Sequence, residues 1–282
     1  MDDPGSGLLA NRNVLPLSLP ALLLLMLTAI GAPRAQDAGT PGTVTSPPVV
    51  HTPAPDARAD SLPFRVGERL EYHIRLGRFG SNGKGSMTVS GPVDVRGTAT
   101  WLLRFDFSAR VGPIKAQDET ESWLDPERMT ALRFHKRERH PFANGTQDVE
   151  LFPVEQRWEG ADGARGESPT DAPLDELSFI YFIRTLPLEI DSTYTFDRHF
   201  EAGRNPVTVR VVGTEVIETK AGTFNTIAVE MRVHDQKHYG TDAGVIRFNF
   251  TNDRRRVPVR IESRVPLVGS AVLLLTADTP DE

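Results

Sequence analysis

The sequence predicts an all-β, mainly antiparallel protein: a curved sheet or incomplete β-barrel that holds one buried α-helix. Three observations carry this. From Phe64 onward the hydrophobic residues recur at every second position, so successive side chains alternate between a buried and a wetted face, as in antiparallel strands. Glycine and proline turn signals punctuate these runs at short intervals, the spacing of a sandwich or barrel. One segment, residues 174–186, departs from the period and reads as a helix.

The N-terminal quarter is of a different character. Ala21 to Ile30 is an apolar run bounded by Pro20 and Pro33, the length of a signal-peptide core and too short for a full membrane span. Residues 1–35 are therefore expected to form a signal peptide or a short N-terminal anchor. The chain is expected to be exported to the periplasm, or tethered to the inner membrane if the signal is not cleaved. Residues 36–62 are rich in Pro, Ala, Thr and Asp and contain no aromatic residue, so they bury too little to offset ordering and read as a disordered spacer. Residues 63–282 are left as a single β-rich domain, long enough to build a core.

No cysteine occurs, which excludes disulfides, thiolate catalysis, cysteine-ligated zinc and lipid attachment through an N-terminal cysteine. The net charge of −6 argues against nucleic acid as a partner, because phosphate binding needs a positive field.

Within the domain, Leu70, Tyr72, Ile74 and Leu76 alternate with Glu71, His73 and Arg75 as a first strand. Gly80 to Gly85 follows as a hairpin turn, its glycines permitting positive φ. Gly91-Pro92, Gly97, Asp125-Pro126, Asn144-Gly145 and Ala221-Gly222 mark further turns. Between them lie alternating runs at Trp101, Leu103, Phe105, Phe107, at Ile227, Val229, Met231, Val233, at Ile246, Phe248, Phe250 and at Val257, Val259, Ile261. The helical segment follows Asp171 as its N-cap, places Asp175 and Glu176 early where the helix dipole favours acids, and stops before Pro187. Leu177 and Phe179 to Ile183 leave it little polar face, so the sheet must cover it. A sheet curved enough to do so can enclose apolar volume. A cavity for a lipid or other apolar small molecule is accordingly expected beside Phe179, Phe182 and Ile183.

Chemistry-bearing patterns are few. Neither a Gly-x-Ser-x-Gly elbow nor a phosphate loop occurs. His234 and His238 fall in a strand or loop pattern, where their four-residue spacing does not converge on a metal, and read as exposed loop histidines. Asp118, Glu119 and Glu121 read as solvated acids. No catalytic, cofactor-binding or metal-binding residue is named, and no cofactor is expected. Arg133, His135, Arg137 and Arg139 share one strand face opposite Leu132 and Phe134, a cationic stripe that would meet anionic lipid headgroups or a polyanion if unneutralised. The expected arrangement is instead that it faces acids: pairing Leu124 with Thr130 sets Glu121 opposite Arg133 and Glu119 opposite His135. Arg254 to Arg256 reads as a solvated turn.

The order of several short motifs resembles the bacterial exported domain-of-unknown-function family 3108. The matching residues are Pro63-Phe64, Gly67-Glu68, Leu70 and Tyr72, then Asp175, Leu177, Ser178, Tyr181 and Arg184, then Ala221 to Phe224, then Asp253, Arg256 and Pro258-Val259. They span about residues 63 to 275. Phe248, Phe250 and Thr251 only approximate the aromatic-x-Ser-x-Asp pattern that members often carry. The resemblance implies an antiparallel β fold in the cell envelope, and it brings no catalytic residue with it. The function expected is non-enzymatic binding of an apolar or lipid-like ligand or an envelope component. The alternative is a structural or protein-interaction module with a fully packed core, and behind it a hydrolase of envelope polymers.

Overall fold

The computed structural model describes residues 59–77, 80–111, 113–140, 143–234, 244–265 and 269–279. The expected signal segment and most of the spacer lie outside them. The chain is ordered slightly ahead of the expected boundary: Ala59–Ser61 forms a 3-10 turn, and Leu62 is buried in the core. No helix among the described residues is long and apolar enough to cross a membrane.

Eight strands precede the helix: β1 (Arg69–Leu76), β2 (Gly80–Val95), β3 (Thr98–Val111), β4 (Ile114–Asp125), β5 (Thr130–His140), β6 (Ala143–Phe152), β7 (Arg157–Gly160) and β8 (Arg165–Glu167). The helix α1 spans Glu176–Arg184. After it come β9 (Thr193–Phe196), β10 (Val207–Thr219), β11 (Gly222–Val233), β12 (Gly244–Thr251), β13 (Pro258–Val265) and β14 (Gly269–Thr279). These strands form one antiparallel sheet in the order β8-β7-β6-β5-β4-β3-β2-β1-β14-β13-β12-β11-β10-β9. Two meanders are thus joined at the middle by the pairing of β1 with β14, and the edges β8 and β9 do not pair, which leaves the barrel open.

The segment between those edges carries α1. It is pinned in the opening by backbone bonds from Leu174 N–H to the Arg198 carbonyl at 2.7 Å, from Phe200 N–H to the Leu174 carbonyl at 3.0 Å, and from Ala131 N–H to the Pro173 carbonyl at 2.8 Å. One core then runs through both meanders and the helix, uniting Leu70, Ile74, Phe105, Ile180, Val209, Phe248 and Ile261. A smaller cluster of Phe134, Val149, Leu151 and Phe200 lies beneath Trp158. The alternation read from the sequence is the burial pattern of the strands: on β1, Leu70, Tyr72, Ile74 and Leu76 are buried and Arg69 and Arg75 exposed.

Four expectations are corrected. Gly80 to Gly85 is not a turn but the start of β2. A Cβ on Gly83 would stand 2.8 Å from the Ile74 Cβ, so the glycine serves a close approach of two strands. Asn144-Gly145 likewise lies inside β6, paired with Arg139 and Glu138. In the hairpin of β4 and β5, Glu121 faces His135 and Glu119 faces Arg137: Leu124 pairs with Ala131 and not Thr130, which moves the register by one residue, and a bulge between Trp123 and Leu124 moves it by one more. The helix starts later than expected, and its N-cap is Asp175, not the exposed Asp171. The Asp175 side chain accepts from the N–H groups of Leu177 and Ser178, and the Ser178 hydroxyl accepts from the Asp175 N–H, a reciprocal capping box. At Gly97 the expected turn holds: Arg96 and Gly97 both have positive φ, 52° and 83°, and join β2 to β3.

Candidate functional site

An apolar helix inside a sheet must still dispose of its polar ends, and each end of α1 does so through a buried polar group. At the N-terminus, Asp175 is fully buried and its Oδ2 accepts a bond from the Ser122 hydroxyl of β4 at 2.5 Å. Burial pushes its carboxyl up to about 6 despite the bonds from Ser122 and Ser178, which favour the charged form. Beside it, Lys136 of β5 forms a largely buried ion pair with Glu176. At the C-terminus, Arg184 is paired with Glu68 through two bonds of 2.7 and 2.8 Å and donates to the carbonyl oxygens of Arg255 and Pro63. Burial opposes its charge, yet Glu68 holds the guanidinium above its ordinary pKa. The Phe64 ring meets Tyr181 edge-on at 4.8 Å, and the Tyr72 hydroxyl donates to the Pro258 carbonyl at 2.8 Å. Residues of three of the motifs that carry the family resemblance therefore meet at one end of the helix.

Phe179, Phe182 and Ile183, expected beside a ligand cavity, lie in the main core. Phe182 packs edge-on against Phe179 at 5.9 Å and Phe196 at 5.0 Å, and the Arg198 guanidinium lies over its ring at 4.5 Å. Two surface clefts among the described residues are lined by other side chains. The first, ≈ 400 Å³, is bordered by Ser61, Arg184, Thr185, Asp253, Arg254 and Arg256. The second, ≈ 670 Å³, crosses the sheet from β1 to β5, with Glu71, Lys84, Asp106, Glu119, Arg137 and Arg139 on its walls.

The cationic stripe of β5 is divided. Arg133 binds Glu150 of β6 at 2.5 Å and stacks over Trp123, His135 meets Asp148 at 2.5 Å, and Arg137 pairs with Glu119. Among the described residues Arg139 has no such acid, and it stands instead in a row that runs across five strands. In that row His73 is opposite Lys84, Lys84 opposite Ser108, Ser108 opposite Gln117, and Gln117 opposite Arg139. On the same face the next row toward the turns carries Arg75 of β1 and the facing pair Arg110 of β3 and Lys115 of β4. Strand-by-strand reading missed this grouping, since each strand contributes only one or two of its members. The signal that finds it is the absence of acids from the turn-proximal outer positions of β1 to β5.

Other groups with chemical potential do not assemble. Among the described residues no group of three or more His, Cys, Asp or Glu side chains is placed to hold a metal ion. His238 lies outside the described residues. Asp118 and Glu138 face each other across β4 and β5 with both side chains turned inward, and of the two Asp118 borders the second cleft. Glu119 and Glu121 face outward and hold Arg104. His199, expected nowhere in the sequence, is buried against Phe200, and burial holds its imidazole well below its ordinary pKa.

Comparison with known proteins bears on this geometry. The model of a family described as proteins of unknown function, DUF3108, matches residues 71–276. No curated protein sequence matches the chain. Among solved structures, a β-barrel-like protein of domain of unknown function DUF1849 from Brucella abortus is similar with a TM-score of 0.55 at 12% identity, covering 77% of this chain and 98% of that one. An exported-type protein with a YmcC-like fold from Bacteroides fragilis matches at a TM-score of 0.33 and 12% identity over 78% and 98% of the two chains. A lipoprotein-type chain from Parabacteroides distasonis matches at 0.30 and 11% over 77% and 97%. The first of these supports the β-barrel-like fold.

Proposed function

The chain belongs to the DUF3108 family of proteins of unknown function, and from the way its helix fills the barrel we propose that it is an exported, non-enzymatic module of the cell envelope that recognises an envelope component through its outer surface. The observation that carries this reading is the filled interior: every residue of α1 from Leu177 to Arg184 is buried. A helix packed on all sides presents no apolar wall to a guest, and a guest beside Phe179, Phe182 and Ile183 would have to displace the Phe196 ring. Recognition by the outer face needs no such displacement. Export is supported by the apolar run at residues 21–30 and by the proline-rich spacer that follows it. A hydrolase of envelope polymers has less support, because paired carboxylates must flank a substrate and Glu138 does not border the groove that Asp118 reaches.

The test is native mass spectrometry of the full-length protein isolated from the envelope fraction and washed at high salt. A single bare mass and an envelope location are expected. A lipid-sized adduct that survives the wash and is released by organic solvent would place the ligand inside the barrel and overturn the surface reading. Recovery in the cytosol would overturn the envelope assignment.

A further inference from the structure

Acidic residues outnumber basic ones by 38 to 32 in this chain, so a surface with mixed charges should find an acid near most of its cations. The outer face of β1 to β5 is instead divided. Toward the middle of the strands, Glu71, Asp106 and Glu119 are each held by a guanidinium, from Arg69, Arg104 and Arg137. Toward the turns, one outward cation stands on each of five consecutive strands: Arg75, Lys84, Arg110, Lys115 and Arg139. All five are exposed, and none of their side chains forms an ion pair or hydrogen bond with another described residue. Neighbouring strands lie about 4.8 Å apart, so the array spans about 19 Å of sheet.

We propose that this turn-proximal face docks on a surface of anionic phospholipid headgroups. The proposal rests on the envelope reading above and specifies its partner. Charge complementarity is the first argument: cations concentrated on one face and left without counter-charges repel one another, and an anionic layer removes that repulsion. The second argument separates a membrane from a polyanionic chain. A glycan or nucleic acid long enough to lie along the adjacent groove would meet Glu71, Asp106 and Glu119 on its wall. A headgroup layer approached from the turn end meets the five cations and leaves those carboxylates beyond it. The serine and glutamine between the cations, Ser108 and Gln117, are hydrogen-bonding groups suited to phosphate oxygens.

The experiment is co-sedimentation of the full-length protein with vesicles of phosphatidylcholine alone or with one third phosphatidylglycerol. The neutral vesicles absorb any contribution of the N-terminal apolar run, so the excess on anionic vesicles is the quantity read. An excess is expected at about 0.1 M NaCl and its loss at about 1 M, where the screening length falls from about 10 Å to about 3 Å. The variant Lys84→Gln/Arg110→Gln/Arg139→Gln should lose the excess by about 100-fold without a change in its melting temperature. The variant Arg165→Gln/Arg210→Gln/Arg254→Gln, which removes equal charge elsewhere, should retain it. Equal sedimentation with both vesicle types would overturn the proposal, and so would equal losses in the two variants. Displacement by millimolar inorganic phosphate would assign the face to a small anion instead, and retention on immobilised heparin with no vesicle excess would assign it to a polyanionic chain. Any of these failures, with a bare mass still found in the envelope fraction, leaves the filled-core surface module standing while removing its lipid partner.

Discussion

Arg184 and Glu68 are 116 positions apart in the chain and form a bidentate ion pair with both side chains almost wholly out of solvent. Arg184 closes the helix, Glu68 immediately precedes β1, and the guanidinium also takes the carbonyl of Arg255 at 2.9 Å. Arg255 in turn reaches Asp278 on β14 at 2.6 Å. One side chain thus ties the helix to the strand where the two meanders meet and to the turn between β12 and β13. Two charges taken from water are stabilising only when every donor and acceptor is matched, and the bonds of Arg184 to Glu68, Pro63 and Arg255 approach that condition.

Breaking this pair by one partner should therefore be severe. Glu68→Gln or Arg184→Met alone is expected to cost about 3 to 5 kcal/mol, since each leaves a buried charge uncompensated. Arg184→Lys should also destabilise, because an ammonium cannot make the paired bonds of a guanidinium. The double change Glu68→Gln/Arg184→Met should recover part of the loss. Urea denaturation of the four variants checks this, and a double variant at least as unstable as the sum of its singles would show that the pair acts through something other than charge compensation.

Tyr181 separates packing from polarity at one position. Its side chain is fully buried, its ring meets Phe64, and its hydroxyl has no hydrogen-bond partner among the described residues. Burial raises its phenol well above the ordinary pKa, with Glu68 acting in the same direction. Tyr181→Phe should accordingly be neutral or stabilising by about 1 kcal/mol, because it removes an unmatched polar atom from the core. Tyr181→Ala should cost about 3 to 5 kcal/mol through the cavity it leaves. Thermal melts of the two variants decide it: a clearly destabilised Phe variant would mean that the hydroxyl has a partner in solution.

The alternating runs and the single buried helix were legible because they are local: period two for a strand, an uninterrupted apolar face with an acidic start for the helix. The cap was misplaced by four residues because Asp171 and Asp175 satisfy the same pattern, and only Asp175 has Ser178 three positions on to complete the box. The register of β4 and β5 was not legible, since the turn pairs Leu124 with Ala131 one residue beyond the expected partner and a bulge then adds one more residue to one strand. Nor were the buried pair of Glu68 and Arg184 and the cationic end of the sheet. Both are assembled across strands, from residues whose spacing in the chain carries no period.

Glycines inside β2 show how a turn signal can mislead and yield a third prediction. The missing side chain at Gly83 admits the Ile74 Cβ at a distance no real Cβ would tolerate, with the Ala109 Cβ at 3.2 Å on another side. Both neighbours are rigid parts of buried strands, so neither yields cheaply. Gly83→Ala should cost about 1 to 3 kcal/mol, as overpacking does. Gly97→Asn, at a positive φ of 83° with open space around its Cα, should cost little. Comparable melting of both variants would place Gly83 in a loose turn after all.

The cap of α1 gives a pH dependence whose sign can be worked out. Asp175 has a folded-state pKa of about 6 against an unfolded value of 3.8, raised chiefly by burial. Below about pH 4 the carboxyl is protonated in both states and contributes no difference. Between about 4 and 6 the unfolded chain releases the proton while the folded chain keeps it, so stability falls as pH rises, by about 3 kcal/mol in all, and above about 6 the contribution is flat. Asp175→Asn preserves an acceptor for the Leu177 and Ser178 N–H groups and turns an amide toward Ser122 without any charge. The Asn variant should match the parent near pH 4 and exceed it at pH 7, whereas Asp175→Ala should be destabilised at both by about 1 kcal/mol or more through the lost cap. Asp171→Ala, at an exposed site outside the helix, should change stability by less than about 0.5 kcal/mol. Denaturation curves at the two pH values test the sign directly: an Asn variant that is weaker than the parent at pH 7 would show that the buried carboxylate stabilises the helix by more than its burial costs.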